Sequence, residues 1–280
     1  RACRGLTTME WRFVVCLGLL AMAAVVELGS ARRVMPWMCL EVCGFDSDDI
    51  SSQLDQISNH SAALAAVSYE RFTVDFNAGL LPVEVTDVTA AIAGMGLETW
   101  PMITVAAQET AAGVFANPWR LINETITVGI KEGYTGYNID WEFSTDNTTV
   151  GLQFAEFLDL FATQLHENNL QLTVDVAEWS RLWNVTALVD TAVDRLLDME
   201  TYEVENWSTY FKDAIAAIPL SQFGLGLQTV NPSTGEDLTD GQLARRFAAA
   251  TREGVQEIDI WDMPLPDNWW PFIEDFAMLD

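Results

Sequence analysis

Asn138, Asp140 and Glu142 stand two residues apart, interleaved with Tyr137, Ile139 and Trp141. In an extended strand successive side chains face opposite ways, so the amide and both carboxyls share one face and the bulky apolar groups the other. Burying two carboxyls against apolar neighbours costs free energy unless they are paired or used. Their Cβ atoms would lie roughly 7 Å apart, close enough for one carboxylate to raise the proton affinity of the other. An aromatic neighbour such as Trp261 would raise it further and leave Glu142 partly protonated near neutral pH. That is the state of a general acid that protonates a leaving oxygen. A structural ion-pair network would need bases, and neither this run nor the next apolar run contains one.

The elements that must position these acids repeat along the chain. Eight short apolar runs recur at Val34–Leu40, Ala62–Tyr69, Trp100–Ala106, Gly136–Trp141, Leu170–Val176, Arg195–Thr201, Phe223–Thr229 and Glu257–Trp261. Their starts lie about 25 to 38 residues apart, the spacing of βα units. Helical periodicity fills the gaps at Ile50–Ser58, Val85–Met95, Pro118–Glu132, Gly151–Asn168, Ser208–Ala217 and Asp240–Arg252. Ser208 and Asp240 are expected N-caps, and Gly96 and Gly133 expected C-terminal caps. Eight such units predict a single-domain (β/α)8 TIM barrel over residues 32–280, with no subdomain inserted between the seventh and eighth strands. No Gly-x-Gly-x-x-Gly follows the first run, which counts against a doubly wound open sheet.

Barrels of this kind hold their sites at the C-terminal strand ends. Inward parity there adds Asp175 on the fifth run and Asp198, Glu200 and Tyr202 on the sixth. The seventh adds Gln228, and the eighth Glu257, Asp259 and Trp261. Histidines are only two, His60 and His166, both away from the strand ends. With no His or Cys cluster expected near a carboxylate, the reading includes no metal and no cofactor. Asp46-Ser-Asp48-Asp49 lacks the glycine and distal Glu of a calcium loop and reads as a helix N-terminus. Trp269-Trp270 fits either an exposed sugar platform or a packed terminal helix, and packing is the expectation.

The N-terminal stretch reads differently. Residues 1–8 precede Met9 and look like translated upstream sequence; residues 9–31 have the charged start, apolar run and small residues of a signal peptide. Five sequons agree with a secretory route, at Asn59, Asn123, Asn147, Asn184 and Asn206. The expected location is therefore extracellular, or lysosomal or vacuolar, with no stable membrane insertion once the signal is cleaved. Cys3 and Cys16 fall in the removed segment. Cys39 and Cys43 could then close a small disulfide loop or remain as free thiols. A net charge of −27 disfavours nucleic acid and anionic membranes as partners.

Gly136-Tyr-Asn-Ile-Asp140-Trp-Glu142 resembles the fourth-strand motif of glycoside hydrolase family 18, the chitinases and their relatives. That motif runs Asp-Gly-x-Asp-x-Asp-x-Glu. Thr135 and Asn138 depart from it. Asn138, together with Thr173-Val-Asp175-Val-Ala177, is similar to the di-N-acetylchitobiase branch. Ala66-Val-Ser-Tyr69-Glu70 and Trp261 also fit, which brings Tyr69 among the substrate-binding residues with Asn138, Asp175, Gln228 and Trp261.

The resemblance implies that Glu142 protonates the leaving oxygen, Asp140 holds the substrate's N-acetyl group and Tyr202 hydrogen-bonds the same group. Trp261 would form the floor under the reacting sugar. The family's Met-x-Tyr-Asp would correspond to Glu200-Thr-Tyr202-Glu203, with Met199 on the wrong parity. Thr104-Val-Ala-Ala107 replaces the usual Ser-x-Gly-Gly turn, which points towards short or glycan-linked chains. The implied protein is a retaining, substrate-assisted glycosidase. It would act as a monomer on N-acetylglucosamine-containing oligosaccharides, either chitooligosaccharides or the chitobiose core of N-glycans. The alternative is a non-catalytic glycan-binding relative on the same barrel, a lectin.

Overall fold

The computed structural model describes residues 32–279. The expected upstream segment, the signal peptide, Cys3 and Cys16 lie outside the described residues. Eight strands run parallel: β1 (Arg33–Met38), β2 (Ala66–Val74), β4 (Glu98–Val105), β5 (Gly136–Trp141), β6 (Gln171–Val176), β7 (Arg195–Asp198), β8 (Phe223–Gln228) and β9 (Glu257–Trp261). Pairing of β1 with both β2 and β9 closes them into a barrel. This is the expected TIM barrel. A short strand, β3 (Leu80–Pro82), adds antiparallel to the end of β2; the sequence reading did not include it.

The helices are α1 (Ser47–His60), α2 (Thr89–Gly94), α3 (Gln108–Ala116), α4 (Trp119–Glu132), α5 (Thr148–His166), α6 (Val185–Leu188), α7 (Trp207–Ala217), α8 (Asp240–Glu253) and α9 (Trp270–Ala277). Their apolar stripes pack on the outward faces of the strands, where β5 contributes Tyr137, Ile139 and Trp141, all fully buried. Trp141 stacks on Phe157 with centroids 5.3 Å apart, and the Tyr137 hydroxyl donates to the Thr125 carbonyl at 2.7 Å. Those contacts fix the outward parity of β5, and the inward parity follows from it.

Two caps fall elsewhere than expected. The α8 N-cap is Thr239, which forms a reciprocal capping box with Gln242, so Asp240 is the first helical residue. Asn206, in the left-handed region at φ 61°, precedes α7, and Ser208 lies inside that helix. Asp46 does cap α1, accepting from the backbone of Asp48 and Asp49. Trp269 and Trp270 are buried, so packing holds over the sugar platform.

Inside the barrel Met35, Trp37, Trp100, Met102 and Leu197 form a separate apolar cluster. Beneath it lies a charged floor. Arg33 donates to Glu257 at 2.8 Å and to both oxygens of Glu98, while Arg195 Nε pairs with Glu257 at 2.8 Å. Burial acts against the Glu98 carboxylate, but the Arg33 hydrogen bonds and charge outweigh it and hold that carboxyl below its usual range. Glu257 therefore belongs to the floor rather than to a strand-end site. Asp259, above it, is buried with neither oxygen partnered among the described residues.

Candidate functional site

The C-terminal ends of the strands surround a cavity of about 340 Å³. Asp140 and Glu142 open into it from the end of β5, beside Asp175 from β6 and Tyr202 from the turn after β7. Gln228 and Trp261, register partners on β8 and β9, close another side. Trp37, Glu70 and Met199 complete the wall. The peptide bond between Trp261 and Asp262 is cis.

Glycines on β8 make room for this arrangement. A methyl group on Gly226 would come within 2.9 Å of the Tyr202 ring, and one on Gly224 would collide with the Asp259 carboxyl. Beyond β5, the Ser180 hydroxyl donates to the Phe143 carbonyl at 3.1 Å and accepts from the Thr145 amide at 3.1 Å. That ties the segment after Glu142 to the segment after β6, so the acid sits on a fixed stretch of chain.

Burial raises the proton affinity of the carboxyls in this cavity. Burial pushes Asp140 well above the usual carboxylate range, and the charge of Glu142 and a hydrogen bond to it push the same way. Burial also raises Glu142, while the bond from Asp140 pulls it back. Asp175 is raised as well, first by burial and then by Asp140. Asp262 is pushed up to about 6 by burial.

Several expected residues take other places. Tyr69 points out of the barrel into the core, and its hydroxyl pairs with Thr89 Oγ1 at 2.7 Å. The inward residues of β2 are Ser68 and Glu70, so parity alone would have named Glu70. Asn138 is fully buried below the cavity, where its amide donates to Thr173 at 3.0 Å and Asp175 at 3.3 Å. It supports Asp175 rather than lining the site.

Glu200 accepts from the Glu178 backbone, while Met199 lines the cavity. Strand parity fails there because β7 ends at Asp198 and a 3-10 turn follows. A thioether therefore does stand where the sequence suggested a carboxylate. Asp198 lies buried behind the turn, its carboxylate accepting from the Thr201 amide. Trp37, inward on β1, was missed although its parity matches Met35.

Cys39 and Cys43 face each other with Cα atoms 5.7 Å apart, a disulfide spacing. Cys43 Sγ lies 3.5 Å from Glu70 Oε2, so the expectation that no His or Cys cluster lies near a carboxylate is corrected by Cys39 and Cys43. Among the described residues this trio alone has ligand-type atoms close enough to share a cation. Sulfurs joined in a disulfide would offer no thiolate for one. Of the sequon asparagines, Asn59, Asn123, Asn147 and Asn206 are exposed; Asn184 is half-buried and caps α6.

No family profile matches this sequence, and neither does any curated protein. Solved structures do match. A chitinase from Chromobacterium violaceum superposes with TM-score 0.73 at 11% identity, over 89% of this chain and all of the other. The Bacillus megaterium spore cortex-lytic enzyme SleL gives 0.74 at 11% identity, over 87% and 73%. A group IV chitinase from Ostrinia furnacalis, solved with allosamidin, gives 0.69 at 11% identity, over 87% and 98%. The chain thus shares the barrel fold of these structures.

Proposed function

We propose that this protein is a glycoside hydrolase of the chitinase type, acting on β-linked N-acetylglucosamine with retention of configuration. The observation that carries the reading is the convergence of Asp140, Glu142 and Tyr202 on one strand-end cavity walled by Trp37 and Trp261. The fold shared with solved chitinases supports it.

The reaction begins with the proton held between Asp140 and Glu142. As the acetamide N–H of the bound sugar approaches Asp140, that carboxyl becomes an acceptor and the proton passes to Glu142. Glu142 gives it to the glycosidic oxygen while the bond from that oxygen to the anomeric carbon breaks. The acetamide carbonyl oxygen bonds to the same carbon, so no carboxylate nucleophile is required. Asp140 holds the positively charged acetamide N–H, and Tyr202 orients the carbonyl. Glu142, now ionised, takes a proton from the water that opens the ring intermediate. Trp261 offers an apolar face to the sugar ring. Asp175, kept in place by Asn138, lines the cavity beside Asp140.

The reading extends to short substrates, chitooligosaccharides or the chitobiose core of glycans, as in the di-N-acetylchitobiase branch. It also includes a secreted or lysosomal location and action as a monomer. The test is hydrolysis of reducing-end-labelled N-acetylglucosamine oligomers, with inhibition by a thiazoline mimic of the ring intermediate. Turnover blocked by the thiazoline supports acetamide assistance. Oligomer binding without turnover or thiazoline affinity would identify a lectin instead.

A further inference from the structure

Bases are scarce here, 14 Lys and Arg against 41 Asp and Glu. Three of them nevertheless gather at one place, a cavity that shares no lining residue with the strand-end cavity. Arg245, Arg246 and Arg252 of α8 line a cavity of about 430 Å³ between α8 and the start of α7. Asn206, Trp207 and Ser208 form the opposite wall.

Arg246 is the informative member. It occupies the buried stripe of α8 with Leu243, Phe247 and Ala250, and is only 2% exposed. Its Nη2 donates to the Glu203 carbonyl at 2.8 Å, and its guanidinium lies 5.5 Å from the Trp207 ring centroid. Its Nη1 has no partner among the described residues. A buried cation is costly unless paired. Here burial, then the neighbouring charge of Arg245, drives the Arg246 guanidinium down to about 10. Among the described residues no carboxylate forms an ion pair with it. Arg252 pairs, among the described residues, only with the adjacent, exposed Glu253, at 2.9 Å.

The facing wall has the same polarity. The cavity meets the N-terminus of α7, an 11-residue helix whose N-cap side chain makes no capping bond. Backbone N–H groups at such an end attract anions, and guanidinium donors match the oxygens of a phosphate or sulfate group. Val204, Ala249 and Trp207 supply apolar surface beside the charges. We infer that the cleft between α7 and α8 is a binding site for a phosphate or sulfate group, free or as a sugar monoester. This site is separate from the glycosidase reading and does not depend on it.

The test uses the full chain in a phosphate-free buffer, with inorganic phosphate and a hexose 6-phosphate as probes and chloride at equal ionic strength as the control. Replacing Arg246 endangers the fold, so the variant is R245Q/R252Q, at two exposed positions. Either probe should raise the wild-type melting midpoint by about 3 °C near tenfold saturation. The double variant should lose most of that shift and keep the wild-type midpoint in chloride. A larger shift with the hexose ester would support a sugar monoester as the ligand; equal shifts would support the free anion. No shift beyond chloride with either probe, or the same shift in the double variant, would overturn the site.

Discussion

Asn138 Nδ2 donates to Asp175 Oδ1 at 3.3 Å, holding from beneath a carboxyl that opens into the cavity. The second oxygen of Asp175 has no partner among the described residues. The amide therefore provides a neutral donor to a carboxyl that burial already pushes upward. Asn138→Ala removes that donor and leaves a buried acceptor unsatisfied. Urea denaturation should show a loss of about 1–3 kcal/mol. An unchanged midpoint would mean that Asp175 is held by other contacts.

Tyr202 and Gly226 form a second coupled pair. Gly226→Ala pushes a methyl group into the Tyr202 ring and the Asp198 carbonyl. The expected cost is about 1–3 kcal/mol by overpacking, together with loss of turnover as the ring is displaced. Tyr202→Phe leaves that space intact. Its melting midpoint should stay within about 2 °C of wild type, while kcat falls by about 10- to 100-fold for one lost hydrogen bond to developing charge. A Tyr202→Phe enzyme with full kcat would remove the hydroxyl from the mechanism.

Stability should decline with rising pH across the mildly acidic range. Asp198 and Glu84 are pushed up to about 7 and Asp262 to about 6, in each case chiefly by burial. Unfolded, these carboxyls titrate near 4. Between about pH 4 and 7 the folded protein therefore holds protons that the unfolded chain releases, and unfolding becomes easier as pH increases. Glu41 acts oppositely. Despite its burial, hydrogen bonds from Thr86 lead in holding it down to about 2, so its contribution is lost as pH falls from about 4 towards 2. Thermal melts should peak near pH 4 to 5 and fall towards pH 8. A midpoint that climbs from pH 5 to 8 would contradict the raised acids.

Trp261 and Trp37 meet edge to face with ring centroids 5.7 Å apart. Trp261→Ala removes an aromatic wall and loosens its neighbour. It should raise KM for N-acetylglucosamine oligomers by about 10-fold, the scale of one sugar-stacking contact. The fold should survive because Trp261 is only partly buried. An unaltered KM would move the sugar to another wall.

The barrel was legible because its strands carry a repeated apolar signal, and β5 and β9 fall where the periodicity put them. Asp140 and Glu142 were legible because outward Tyr137 and Trp141 fix their parity. What was hidden follows from local breaks in that rule. Met199 and Tyr202 leave strand geometry in a 3-10 turn, so alternation misplaces Met199. Tyr69 was chosen by likeness to a motif against its own parity, and Glu70 beside it lines the cavity. Arg246 looks like any helical arginine until the buried stripe of α8 is known.

The most direct test of the account is Glu142→Gln assayed on a chromogenic N,N′-diacetylchitobioside, with folding followed by circular dichroism. The substitution keeps the shape and removes the transferable proton. Turnover should fall by at least about 10²- to 10⁴-fold with the melt and the oligomer affinity retained. A folded Glu142→Gln protein that hydrolyses the glycoside at the wild-type rate would contradict the central claim.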